Sequence, residues 1–217
     1  MDDIQTLNGI TPRYDRGLIE TRLGYQRRST ELTEAQRAHF EGILHQAESL
    51  CRLSLAWRIL TIAANDGASV ALEDGTLLRG TGLAALLRDS HAIVAMFVTA
   101  GSRPLKTRDR WMRQERLADA VVLDAAASEI TDAGLDWLMQ YLNTGLRRTE
   151  RILTHHRHSP GYGDWPLAEQ ASLAGLLDIG RFGATLTDRF ILTPEKSVLA
   201  VAGIVLSLIH ISQGIVR

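Results

Sequence analysis

A single cysteine in 217 residues, Cys51, leaves nothing to pair with in a disulfide and too few thiolates for a cysteine-rich zinc site. Net charge is nearly absent too. Lys and Arg number 24 against 25 Asp and Glu, a formal −1, whereas a broad nucleic-acid footprint calls for a basic surface. Long hydrophobic runs are missing as well: the most apolar stretch, residues 198–211, has 14 residues, and a helix that spans a bilayer needs about 20. Its valines and isoleucines, interrupted by Gly203, Ser207 and His210, read instead as a buried strand. The start, Met1-Asp-Asp-Ile-Gln5, is acidic and polar, the reverse of the basic and then apolar opening of a signal peptide. These absences lead to the expectation of a cytoplasmic protein with neither nucleic acid nor membrane among its partners.

What is present is a composition that folds by burial, 45% hydrophobic and 23% charged. A chain of this length buries roughly 70% of its unfolded surface and needs no metal or cross-link to hold a core. No repeat or low-complexity linker divides it, so a single domain over residues 31–217 is expected, preceded by a polar, irregular segment of residues 1–30. Thr33 and Gln36 have the spacing of a capping box, in which each side chain bonds the other's backbone amide. Phe40, Ile43, Leu44, Ala47, Leu50 and Cys51 then recur at helical spacing. They predict an amphipathic helix over 34–51, with Cys51 an inert apolar side chain on its buried face.

Residues 53–62 read as a strand with Arg58 and Thr61 outward, and the Asp-Gly pairs at 66–67 and 74–75 mark turns. A short helix is expected over 83–88, and residues 92–99 (AIVAMFVT) predict a strand buried on both faces. Residues 107–150 read as a helical region in two parts. The first presents Arg108, Arg110, Arg113 and Arg116 as a solvated basic face; the second opens on the small-residue stretch 117–129 and continues over 132–148. An extended stretch over 153–159, a helix from Pro166 to about Asp178, and strands over 185–193 and 197–207 separated by Pro194 complete the pattern. The fold class is therefore α+β, a mainly antiparallel twisted sheet packed with long helices.

The chemistry concentrates in residues 155–166, His-His-Arg-His-Ser-Pro-Gly-Tyr-Gly-Asp-Trp-Pro. The Pro-Gly and Gly-Asp pairs force a compact turn, and glycines let a ligand approach the backbone. Arg157 can hold a carboxylate through two parallel hydrogen bonds. Tyr162 adds a ring face and a hydroxyl. This set suits an amino-acid-bearing ligand; composition alone favours a structural turn with a surface arginine. His155, His156 and His158 resemble metal ligands, but on an extended segment only His156 and His158 share a face, too few for a site, so no metal is expected. Glu129, Asp132 and Asp136, at helical spacing, read as a solvated acidic face, and Gly80-Thr-Gly82 lacks the later glycine of a dinucleotide loop. No Gly-x-Ser-x-Gly elbow is present, and Cys51 is far in sequence from any histidine pair, so no catalytic nucleophile is assigned.

The block from Arg157 to Leu167, followed by Leu186-Thr-Asp188 and Pro194-Glu-Lys-Ser197, resembles the activation domain of cobalamin-dependent methionine synthase, and most of all its short, free-standing bacterial homologues. The Arg-x-x-x-Gly-Tyr core is kept, with three residues between Arg157 and Gly161. The likeness extends more loosely through Leu23-Gly-Tyr25 and the helix around Leu123 to Ser128, covering most of residues 18–205.

The resemblance implies S-adenosylmethionine binding in a shallow groove, with Arg157 on the donor's carboxylate, Gly161 and Tyr162 shaping the groove, and Asp132 facing the amino group. It further implies reductive methylation of cobalamin carried by a partner, either a corrinoid protein or methionine synthase modules, with a flavodoxin-type electron donor. The chain departs from the family at Asp188-Arg189, where Glu-Ser is common, and lacks the cysteine-rich tail of many free-standing relatives. Without cysteines for a homocysteine-activating zinc it is not a complete methionine synthase. The alternative is a non-catalytic binding module that recognises a corrinoid protein or another small ligand. One further motif, Asp89-Ser-His91, echoes the cobalt-ligating pattern of corrinoid carriers. Val94 replaces its glycine and it leads into a strand, so it is set aside.

Overall fold

The computed structural model describes residues 3–25 and 32–207. In chain order the strands are β1 (Gln5–Ile10), β2 (Leu53–Asn65), β3 (Ser69–Leu72), β4 (Leu77–Arg79), β5 (Ala92–Thr99), β6 (Arg151–Leu153), β7 (Thr185–Leu186), β8 (Leu192–Thr193) and β9 (Ser197–Leu206). The α-helices are α1 (Arg16–Arg22), α2 (Glu34–Leu50), α3 (Thr81–Leu86), α4 (Arg103–Arg113), α5 (Leu117–Leu146) and α6 (Gln170–Leu177).

Seven strands form one antiparallel sheet in the order β4-β3-β2-β5-β9-β6, with β1 lying beside the first half of β2 and β3 beside its end. A register shift between Ile62 and Ala64 bends β2 and curls the sheet. The side-chain alternation of the central strands sorts the core into two layers. Ala92, Val94, Met96 and Val98 of β5, with Ala200, Ala202 and Ile204 of β9, face α2 and α5. Ile93, Ala95 and Phe97, with Leu199 and Val201, face α3, α6 and Trp165. All eight residues of β5 are therefore buried, which is why its sequence is one uninterrupted apolar run. The expected apolar strand near the C-terminus is β9; residues 208–211 of that run lie outside the described residues. Among the described residues no helix is long and apolar enough to cross a membrane.

The capping box forms as expected. Thr33 Oγ1 accepts from the Gln36 amide at 3.3 Å and the Thr33 amide donates to Gln36 Oε1 at 2.9 Å. Cys51 caps the other end of α2, fully buried, and burial pushes its thiol up to about 12. The helical region does divide near residue 116, where Glu115 adopts a left-handed φ of 61°, but it begins at Arg103. Its second part is one 30-residue helix, α5, about 45 Å long. Gly134 lets α5 lie directly on the sheet, because a Cβ there would run into the side chains of Leu53 and Val98.

Three expectations are corrected. Residues 3–25 of the expected irregular segment are not irregular: β1 pairs with β2, α1 is capped by Asp15 through the Gly17 amide at 2.8 Å, and Tyr14 donates to Glu48 on α2 at 2.7 Å. The stretch 185–193 is not one strand but a two-stranded hairpin, β7 and β8, followed by a cis Thr193–Pro194 bond. The arginines from Arg108 to Arg116 are not a uniformly solvated face. Arg108 is clasped by Asp109, Asp124 and Glu195, and Arg116 bonds Asp119 and lies 4.4 Å over the Trp111 ring.

The Arg108 cluster joins the start of β9 to α5. Lys196, nearly buried, reaches Asp124 at 2.9 Å and the Ser128 hydroxyl at 2.8 Å. Burial alone would raise the Asp124 carboxyl, but hydrogen bonds from Lys196 and Arg108 outweigh it and hold the group below the ordinary carboxylate range. A carboxyl lowered by folding stabilises fully above its unfolded value of about 3.9, and that contribution is lost as pH falls through the folded value. Asp124→Asn should therefore cost about 2 kcal/mol at pH 7, chiefly by stranding Lys196. In urea titrations at stepped pH the gap between mutant and wild type should close below about pH 4.

Candidate functional site

The loop between β6 and α6 is built to project Arg157. Thr154 is tied to Gly203 of β9 by two hydrogen bonds of 2.8 and 3.0 Å, and His158 pairs with Val201 through two of 2.8 Å. Residues 155–157 bulge out between those anchors toward α5. Beyond them Ser159 O accepts from the Tyr162 amide at 3.2 Å, and Trp165 O accepts from the Gly161 amide at 2.8 Å, closing a tight turn. Gly161 and Gly163 have φ of +94° and +59°, conformations that glycine adopts without strain.

The turn is held from below by Trp165, 1% exposed, whose ring stacks on the His158 imidazole at a centroid distance of 5.6 Å. Asp164 fastens it to the start of α3 by accepting from the Thr81 hydroxyl and the Gly82 amide, and these bonds hold its carboxyl below the ordinary range. The Gly80-Thr-Gly82 segment is thus a further anchor of this loop.

A cleft of about 470 Å³ opens between the loop and α5, lined by Asp132, Leu135, His155, His156, Arg157, His158, Ser159, Tyr162 and Val198. Three of the four expected site residues, Asp132, Arg157 and Tyr162, meet on its wall. Gly161 shapes the turn behind it, where a Cβ would stand 3.0 Å from Leu167 Cδ1. Tyr162 is 71% exposed, an open ring face at the mouth. The three histidines part company: His155 and His156 touch edge to face, while His158 turns onto Trp165. Among the described residues no three His, Cys, Asp or Glu are grouped to hold a metal.

The charges of the cleft are already paired. The Arg157 guanidinium bonds the Asp136 carboxylate, one helical turn beyond Asp132. Asp132 itself lies 3.1 Å from Arg22 of α1, which also reaches Glu129 at 3.4 Å. The expected solvated acidic face is corrected here: Glu129 is buried, and burial raises its carboxyl against the opposing charge of Arg22. Arg22 had no signal in the sequence as a site residue and Asp136 was read only within the acidic face, because their partners lie 110 and 21 positions away.

A second groove, about 930 Å³, is lined in part by Arg22. Its apolar walls include Leu23, Met112, Leu117, Ala120 and Val121, and Arg108, Asp124 and Ser128 stand at one end. Sequence reasoning missed it. The available signal was Leu117 and Val121, apolar and four apart on one face of α5, both 58% exposed.

The chain matches no protein-family model and no curated protein. Among solved structures, the MetH reactivation domain bound to AdoHcy is similar to it, with a TM-score of 0.66 and 15% sequence identity over 93% of this chain and 78% of that chain. The likeness is one of fold: the curled antiparallel sheet with its long helices is shared with that domain.

Proposed function

We propose that the cleft between α5 and the Arg157 loop binds S-adenosylmethionine or its demethylated product, and that the protein serves the reactivation of a corrinoid cofactor held by a partner. The observation that supports this most is the placement of Arg157: a guanidinium on the wall of a polar cleft, carried by the Arg-x-x-x-Gly-Tyr turn, in a fold shared with a domain solved with AdoHcy. Arg157 would take the ligand carboxylate in a two-bond fork, and Tyr162 would cover the bound molecule at the mouth. Asp132, in ion contact with Arg22, is the acid first assigned to the amino group.

The protein's share of the work is orientation: it holds the sulfonium donor still and aimed outward, which lowers the entropic part of a transfer barrier. S-adenosylmethionine supplies the methyl group, and the corrinoid on the partner protein supplies the acceptor metal. The reducing electron comes from a separate flavodoxin-type donor.

The occupation of Arg157 by Asp136 and of Asp132 by Arg22 favours a second reading, a binding module that keeps the fold and docks a corrinoid protein without holding the donor. Calorimetric titration of S-adenosylhomocysteine into the purified protein separates the two. Saturable 1:1 binding is expected from the donor reading; no heat at millimolar ligand leaves the module reading, to be checked by co-elution with a corrinoid protein.

A further inference from the structure

We propose that Asp136 is a built-in occupant of Arg157, a lock that closes the cleft's guanidinium to anions carrying a carboxylate alone. Asp132 and Asp136 stand four residues apart on one face of α5, and each is met by an arginine from a different segment, Arg22 from α1 and Arg157 from the loop. Arg22 is thus shared by Asp132 and the buried Glu129, whereas Arg157 has Asp136 as its ion-pair partner. The Arg157 side chain is 26% exposed and set in the wall, whereas Asp136 is 59% exposed at the rim, so Asp136 is the member free to swing into water.

The selectivity follows from counting charges. A ligand that brings only a carboxylate can replace Asp136 on Arg157, but it leaves Asp136 beside a second anion with no cation of its own. A ligand that brings a carboxylate and an ammonium replaces both halves: its carboxylate takes Arg157 and its ammonium takes the released Asp136, in place of Asp132, which Arg22 already holds. The lock therefore selects amino-acid zwitterions, and in this it rests on the amino-acid-bearing ligand proposed above.

The test is the rate at which phenylglyoxal, an arginine-selective dicarbonyl, modifies Arg157, located by peptide mass spectrometry at fixed ionic strength. Exposed Arg189 serves as the internal reference. The comparison is wild type against Asp136→Asn, an isosteric change at an exposed position that leaves packing alone. Arg157 should react about threefold to fivefold faster in the mutant, the range expected for loss of a partly screened ion pair. Acetate should protect Arg157 in the mutant and not in the wild type, while S-adenosylhomocysteine should protect it in both. An unchanged Arg157 rate, or acetate protection that is the same in the two proteins, overturns the lock whatever S-adenosylhomocysteine does. If the acetate pattern holds and S-adenosylhomocysteine protects neither protein, the lock stands and the proposed donor is removed.

Discussion

Arg157→Ala is expected to weaken S-adenosylhomocysteine binding about 30-fold, roughly 2 kcal/mol, while leaving the thermal midpoint within a few degrees of the wild type. The size comes from what the fork contributes and what opposes it. A two-bond guanidinium–carboxylate contact in a half-closed cleft is among the stronger polar contacts, and truncating one side of such a pair costs upward of 2 kcal/mol. Against it stands the Asp136 pair, which the ligand must displace and which lowers the wild-type affinity. Stability should barely change, because that pair is partly exposed and such pairs contribute 1 kcal/mol or less. Arg157→Lys keeps the charge and loses the fork, so it should fall between wild type and alanine. Titration calorimetry with all three proteins, beside thermal melts, makes the comparison. Wild-type affinity in Arg157→Ala would mean that the ligand carboxylate lies elsewhere, and the proposed binding mode would be withdrawn.

The features legible in the sequence were those set by short-range rules. The Thr33–Gln36 box, the apolar period of α2 and the continuous run of β5 each follow from residues within one element, and each forms at the expected place. The turn around Gly161 was legible for the same reason, since proline and glycine punctuation acts over a few residues. What escaped depends on partners distant in the chain. β1 carries mostly exposed side chains because it lines an edge of β2, so it shows no apolar alternation to read. α1 buries only Ile19. Arg108 was read as solvated because nothing local foretells that Glu195, 87 positions on, closes over it.

The candidate site shows the same division. Arg157, Gly161 and Tyr162 fall within one turn, and the segment announces itself. That Asp132 faces this turn across the cleft was carried by the family resemblance, and composition alone offered no reason to expect it. The second acid, Asp136, was indistinguishable from any exposed carboxylate on a helix until the loop was seen to reach it. Ion pairs between segments are set by topology, and local sequence does not encode them.

Trp165→Ala should lower the unfolding free energy by about 3–5 kcal/mol, a large share of the 5–15 kcal/mol that holds a typical domain together. The indole fills the space beneath the site loop, packed with Leu83 and Leu177 in the second core layer, and a Cβ on Gly80 would stand 2.9 Å from its Cδ1. Its removal leaves a cavity the strands cannot close, because β5 and β9 are held on both sides. It also takes away the surface on which the His158 ring stacks, beside the backbone anchor of His158 on Val201 that aims Arg157. Trp165→Phe should cost less: it keeps a ring under His158 and removes an indole N–H that has no hydrogen-bond partner among the described residues, which offsets part of the lost packing. Leu173→Ala is the control. This fully buried side chain belongs to the same layer but not to the loop, so it should cost 2–5 kcal/mol without moving ligand affinity. Urea unfolding gives the stabilities, and titration at a temperature where all variants are folded gives the affinities. If Leu173→Ala weakens binding as much as Trp165→Ala does, the site depends on the general firmness of the layer. If only Trp165→Ala weakens it, the stack of His158 on Trp165 is what sets the position of Arg157.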